Sequence, residues 1–172
     1  FGCQWHGLQR SFTVACMQDD NTQRDSMTDQ IAHFPQTALR TTADDKFGIP
    51  HTRVGETGVL GTLKGAKDNG KVLVLRADID ALPIEETHEC VYRSENAGVM
   101  HACGHDAHAA CLLGVAKILS ENRDAFSGKV RLVFQPGEEI GKGAKPFVAA
   151  GVLDGAERVF GLHTAYDLEA GT

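Results

Sequence analysis

Val72-Leu73-Val74-Leu75 is an apolar run that leads directly into Arg76-Ala77-Asp78-Ile79-Asp80, with its two aspartates. A short run of this kind, preceded by the charged Gly turn Lys67-Asp68-Asn69-Gly70, reads as a strand buried on both faces. The pattern recurs downstream. Val130 to Phe134 leads into Gln135-Pro136-Gly137-Glu138-Glu139, and Arg158 to Leu162 ends at His163. Between these strands, Asp106 to Asn122 places Ala109, Leu112, Leu113, Ala116 and Leu119 at three- and four-residue steps, the period of an amphipathic helix. A second helix-like stretch runs from Gly143 to Ala150, and Thr57 to Leu63 adds a strand upstream. Strands alternating with helices predict an α/β fold: a mixed, mostly parallel sheet with helices on both faces.

Upstream of residue 50 the periodicity is poor, and polar residues crowd Gln18 to Gln30. Residues 1–50 read as a loose N-terminal arm with one helix over Thr28 to Phe47, and residues 51–172 as the core. The 172 residues amount to about one domain. With 17 Lys and Arg against 23 Asp and Glu, the formal charge is −6, which argues against nucleic acid as a partner. No apolar run reaches the ~18 residues of a membrane span, and Phe1 to Cys16 lacks the basic start and apolar centre of a leader. The five cysteines, Cys3, Cys16, Cys90, Cys103 and Cys111, are odd in number and irregularly spaced. They suit a reducing, cytoplasmic compartment better than a disulfide framework.

In open α/β sheets ligands bind beyond the carboxyl ends of the strands, so acids and histidines at three strand ends can converge although distant in sequence. Taken singly, Asp78 and Asp80 read as a solvated turn, Glu138 and Glu139 as a charged surface pair, and His163 as a half-buried histidine. The cluster Met100-His101-Ala102-Cys103-Gly104-His105-Asp106-Ala107-His108 is more specific. Residues 101, 103 and 105 share one face of an extended segment, and a thiolate with imidazoles suits a borderline-soft divalent metal.

His101 to His108, Val74 to Pro83, Phe134 to Glu139 with Gly143-Ala144, and Gly151-Val152-Leu153-Asp154-Gly155 onward to His163 closely resemble the amidohydrolase branch of the aminoacylase/carboxypeptidase metallopeptidases. Hippurate hydrolases, N-acetyl-amino-acid deacetylases and indole-acetyl-amino-acid hydrolases belong to that branch. The resemblance spans roughly residues 54–172. It implies a zinc-peptidase-like catalytic domain and a pair of divalent metal ions, zinc or manganese, with cobalt or nickel also compatible. The implied reaction is hydrolysis of small N-acyl amino acids. By the same resemblance Cys103, His105, Glu139 and His163 match metal ligands and Glu138 the general acid–base. Asp78 matches an aspartate that orients a ligand imidazole, and Asp106 is expected to act similarly. His101 and His108 keep a structural reading, as residues that cap or pack.

Two departures qualify what the resemblance implies. The family's N-terminal histidine signature has only His33-Phe34-Pro35-Gln36 as a counterpart here. Its chains also continue into a lid or dimerisation domain, through which the parent enzyme is expected to form a homo-oligomer, and then return with a further histidine ligand. Residues 51–172 are accordingly expected to be the metal-binding part of a partial catalytic domain. The alternative expectation is a truncated, inactive metal-binding fragment.

Overall fold

A computed structural model describes residues 47–90, 93–165 and 167. Five strands are described: β1 (His51–Val54), β2 (Gly58–Lys64), β3 (Lys67–Asp78), β4 (Ser127–Gln135) and β5 (Ala156–Gly161). Two α-helices join them, α1 (His105–Glu121) and α2 (Ala144–Ala149), with one turn of 3-10 helix at Arg123–Ala125. The sheet order is β1-β2-β4-β3-β5. β1 with β2 and β2 with β4 are antiparallel, while β3 with β4 and β3 with β5 are parallel. The sheet is therefore mixed as expected, with its parallel part confined to β4, β3 and β5.

Chain direction explains why each face receives a helix. The β3-α1-β4 crossover steps to one side of β3, and β4-α2-β5 steps back across β3 to the other. Crossovers of one hand taken in opposite directions put their helices on opposite faces. On the α1 face, Ala109, Leu112 and Ala116 bury against Val59, Leu63, Ala77, Val130, Leu132 and Phe134. On the α2 face, Phe147 and Val152 pack with Val54, Val72, Val74 and Val133. Alternation of Leu132 and Val133 between these two clusters is the two-residue period of a strand covered on both sides. The Arg131 guanidinium donates to the carbonyls of Val152 at 2.5 Å and Asp154 at 2.9 Å, tying the turn after α2 to β4.

Three readings change. The turn at Lys67–Gly70 exists as Asx hydrogen bonds, from Gly70 N–H to Asp68 and from Lys71 N–H to Asn69, but it interrupts β3 rather than preceding it. The β3–β4 register accordingly shifts between Lys67, opposite Ser127, and Val72, opposite Lys129. Packing also starts before residue 51: Ile49 is fully buried in the α1-face cluster, and Phe47 packs against it. Strand β1, four residues long with a single buried side chain, had no pattern of its own to reveal it. The helix expected over Thr28 to Phe47, all but its last residue, and the stretch His33–Gln36 lie outside the described residues. No helix among the described residues is long and apolar enough to cross a membrane.

Candidate metal centre

The three parallel strands end on one rim, and each delivers polar groups there. β3 exits through Asp78 and Asp80, β4 through the turn that carries Glu138 and Glu139, and β5 into His163. The loop after β3 returns over this rim because Leu82 and Met100 exchange backbone hydrogen bonds of 2.9 and 3.1 Å. That brings residues 101–105 to the same place.

The stretch before α1 is a turn, not the extended segment expected from its two-residue spacing. Gly104 N–H bonds the His101 carbonyl at 3.1 Å, and Gly104 itself has φ +77°. A Cβ there would stand 2.6 Å from Thr164 Oγ1, so both conformation and clearance call for glycine. This left-handed step turns Cys103 and His105 toward one point, whereas His101 is in neither cluster of potential ligands among the described residues. Burial pushes the His101 imidazole below its ordinary pKa, against the opposing charge of Asp106. The turn that presents the glutamates has a comparable constraint. A Cβ on Gly143 would overlap the Pro136 carbonyl oxygen at 1.4 Å, where the chain folds back to donate Gly143 N–H to the Gly137 carbonyl at 3.0 Å.

Potential ligand atoms of Cys103, His105 and Glu139 all lie within 4.8 Å of one another. His163 joins them, with Nε2 3.4 Å from Cys103 Sγ. His105 Nε2 is 3.8 Å from Glu139 Oε1, 3.9 Å from Glu138 Oε2 and 3.9 Å from Asp78 Oδ2. The Glu139 side chain is 24% exposed and that of Glu138 40%, so the second carboxylate is the more open to solvent. All four residues expected to be ligands, and the expected acid–base, thus surround one point.

His105 is 1% exposed at its side chain, yet neither ring nitrogen has a hydrogen-bond partner among the described residues. Its Nδ1 lies 3.4 Å from Asp80 Oδ1, which is also buried and without a hydrogen bond among the described residues. Leaving a buried imidazole unsatisfied costs ~1–3 kcal/mol for each polar group. A bound cation would satisfy the nitrogen that faces Glu139, and the combined thiol, imidazole and carboxylate donors suit a borderline-soft divalent ion. The residues present therefore fit a metal. The Cys103 thiol is raised above its ordinary pKa by burial first, then by the hydrogen bond and charge of Glu139 and the charges of Glu138 and Asp78. A bound cation would reverse that balance and favour thiolate.

Two expected residues sit elsewhere in the network, and two others emerge. Asp78 does hold an imidazole, but that of His108, at 2.5 Å from Nδ1, and it pairs with Arg76 at 2.7 Å. Burial would raise the Asp78 pKa, but the His108 hydrogen bond and the Arg76 guanidinium outweigh it and hold the carboxyl below its ordinary value. Asp106 is exposed in the first turn of α1 and belongs to neither ligand cluster among the described residues. Asp80, which reads as a turn residue in the sequence, is buried, and its Oδ2 accepts Glu139 N–H at 3.1 Å, which braces the glutamate turn. Thr164 is the other: its carbonyl accepts His163 Nδ1–H at 2.7 Å. Position within the strand-end motifs was the available signal for Asp80; nothing in the sequence signals Thr164.

Residues 74–172 match peptidase family M20/M25/M40. The chain is 51% identical over 130 residues to thermostable carboxypeptidase 2 of Saccharolobus solfataricus, covering 74% of this chain and 31% of that protein. It is 51% identical over 117 residues to N-acetyl-L-cysteine deacetylase of Bacillus subtilis, covering 68% of this chain and 28% of the relative. Among solved structures, the YXEP protein of Bacillus subtilis, described as a dinuclear metal binding peptidase from the M20 family, superposes with a TM-score of 0.72 at 42% identity. That match covers 77% of this chain and 37% of the other. The chain thus spans about three-tenths of the length of the curated relatives, 31% and 28%.

Proposed function

The chain belongs to peptidase family M20/M25/M40, and from that premise we propose that its rim hydrolyses the amide bond of N-acyl amino acids. In this reading Cys103, His105, Glu139 and His163 hold two divalent metal ions, and Glu138 is the general acid–base. The observation that carries it is the buried imidazole of His105, without a hydrogen bond among the described residues and facing Glu138 and Glu139. Support for the substrate class comes from two relatives whose names denote a carboxypeptidase and a deacetylase of N-acetyl-L-cysteine, both reactions that open an amide.

When bound, the metal ions supply Lewis-acid polarisation of the amide carbonyl and lower the pKa of water. The chain's own groups do the rest. Glu138, the more exposed of the paired carboxylates, takes the proton from the attacking water and returns it to the departing amine. Asp80 keeps that carboxylate presented by accepting the N–H of the next residue, Glu139. The Thr164 carbonyl holds the His163 proton on Nδ1, so the Nε2 lone pair faces Cys103.

The test uses protein stripped with a chelator and recharged with Mn²⁺ or Zn²⁺. Uptake is followed by calorimetry, and turnover by release of free amino acid from N-acetyl and N-benzoyl substrates. The expected result is two equivalents of metal, proton release on binding, and hydrolysis that depends on the metal. Absence of uptake, or uptake unchanged in His105→Ala, overturns the ligand assignment; metal uptake without amide hydrolysis overturns the activity.

A further inference from the structure

His108 lies one turn after His105 on α1, is equally buried, and belongs with Asp78, His105 and His163 to a cluster whose potential ligand atoms all fall within 4.8 Å. Its hydrogen bonds distinguish it from a ligand. A main-chain N–H can only donate, and that of Thr164 points at His108 Nε2 from 2.8 Å. Nε2 is therefore the nitrogen without a proton. The proton is on Nδ1, where it is donated to Asp78 Oδ1 at 2.5 Å. Both ring nitrogens are committed, and neither is left for a metal.

The contacts continue on either side of this imidazole. Asp78 accepts Arg76 Nη1 at 2.7 Å, and Arg76 Nε donates to Gln135 Oε1 at 3.1 Å. Beyond Thr164, its carbonyl can only accept, so His163 Nδ1 must carry the proton in their 2.7 Å contact. That leaves the lone pair of His163 on Nε2, the atom 3.4 Å from Cys103 Sγ. The Thr164 hydroxyl lies 3.4 Å from the Cys103 carbonyl and 3.2 Å from His108 Nε2, in the space that Gly104 leaves by lacking a side chain.

We infer that His108 is a positioning residue: together with Asp78 it grips the Thr164 backbone and so fixes His163 in the Nδ1–H tautomer, with its Nε2 lone pair turned to the metal centre. The tautomer part stands on hydrogen-bond geometry alone; the consequence for metal binding rests on the function proposed above. The grip also ties the exit of β5, an edge strand among the described residues, to the first turn of α1.

Heteronuclear NMR of the ring nitrogens in metal-free protein reads the tautomers directly. Protons on Nδ1 of both His108 and His163 are expected, and a proton on Nε2 of either overturns the inference. His108→Phe keeps a flat ring and removes both nitrogens; His163 should then lose its single tautomer, and metal affinity should fall about 10–100-fold. His108→Gln, whose amide can both accept from Thr164 and donate to Asp78, should restore affinity to within a few-fold. Wild-type affinity with an unchanged His163 tautomer in His108→Phe overturns the positioning role. If His108→Phe does not fold, the wild-type spectrum and His108→Gln decide. A wild-type protein that takes up no metal defeats the proposed function, while its tautomer spectrum still decides this inference.

Discussion

The two halves of the sheet share β4 yet have different chemical content. On the parallel side β4, β3 and β5 run together, so all three carboxyl ends reach one rim and bring Glu138, Glu139, Asp78, Asp80 and His163 with them. On the antiparallel side β2 runs against β4 and carries its last residue, Lys64, to the opposite end, while β1 is separated from β3 by both β2 and β4. That side contributes core: Val59 and Leu63 are buried beside Ile49. Strand direction, more than composition, decides which half can assemble a polar site, because only parallel neighbours deliver their ends together.

Substitutions can separate the two halves. The largest effect is expected at the rim: Glu138→Gln should lower turnover by about 10²–10⁴-fold, because it removes the proton acceptor, while metal stoichiometry and the urea midpoint stay at wild-type values. Stopped assays beside calorimetry check this, and a variant with near wild-type turnover would reject the acid–base role. Next, Leu63→Ala on β2 should cost about 2–5 kcal/mol of stability through the cavity it leaves, with metal bound per folded molecule unchanged. Altered metal stoichiometry in that variant would show that the two halves are not separable.

Asp78→Asn tests where the comparison breaks, since Asp78 stands at the rim but is bonded into the packing. Loss of the charge-assisted bonds should cost about 2 kcal/mol at neutral pH. The sign of its pH dependence follows from a folded pKa held below the unfolded value. Its contribution is present above the unfolded carboxylate pKa, ~3.9, and is lost as pH falls through the lower folded value. Urea midpoints measured from neutral pH down through that window should therefore converge for wild type and Asp78→Asn at the acid end. A constant gap across the whole window would mean that Asp78 acts by shape and not by charge.

Much of the parallel half was legible because its strands are apolar runs followed at once by chemistry: Val72–Leu75 before Asp78, Val130–Phe134 before Glu138, and Val159–Leu162 before His163. Helix α1 was equally plain, since Ala109, Leu112 and Ala116 repeat on its buried face. Strand β1 was not, because His51-Thr52-Arg53-Val54 is a strand by virtue of pairing with β2 and carries no alternation of its own. Cys103 and His105 stood out in the Cys/His cluster and in the family resemblance, but the geometry expected for them differs: a left-handed glycine, not an extended segment, makes them converge. The partners of His108 and His163 were hidden for a different reason. His108 and His163 each bond a main-chain group of Thr164, its N–H and its carbonyl respectively, and main-chain groups are the same at nearly every position of any sequence.

The passage of the chain from β4 past β3 to β5 has a consequence for synthesis. Cys103 and His105 leave the ribosome well before His163, and at about 5–20 residues per second the intervening chain takes on the order of several seconds to appear. On the ligand assignment proposed above, a nascent chain in that interval would offer an ion the Cys103 thiol, the His105 imidazole and, later, Glu139, but not His163, which follows β5. Metal acquired co-translationally would be held by an incomplete set and exchange readily. On that assignment firmer occupancy would begin when β5 docks beside β3 and Thr164 meets His108, so retention of the ion would report the closing of this rim.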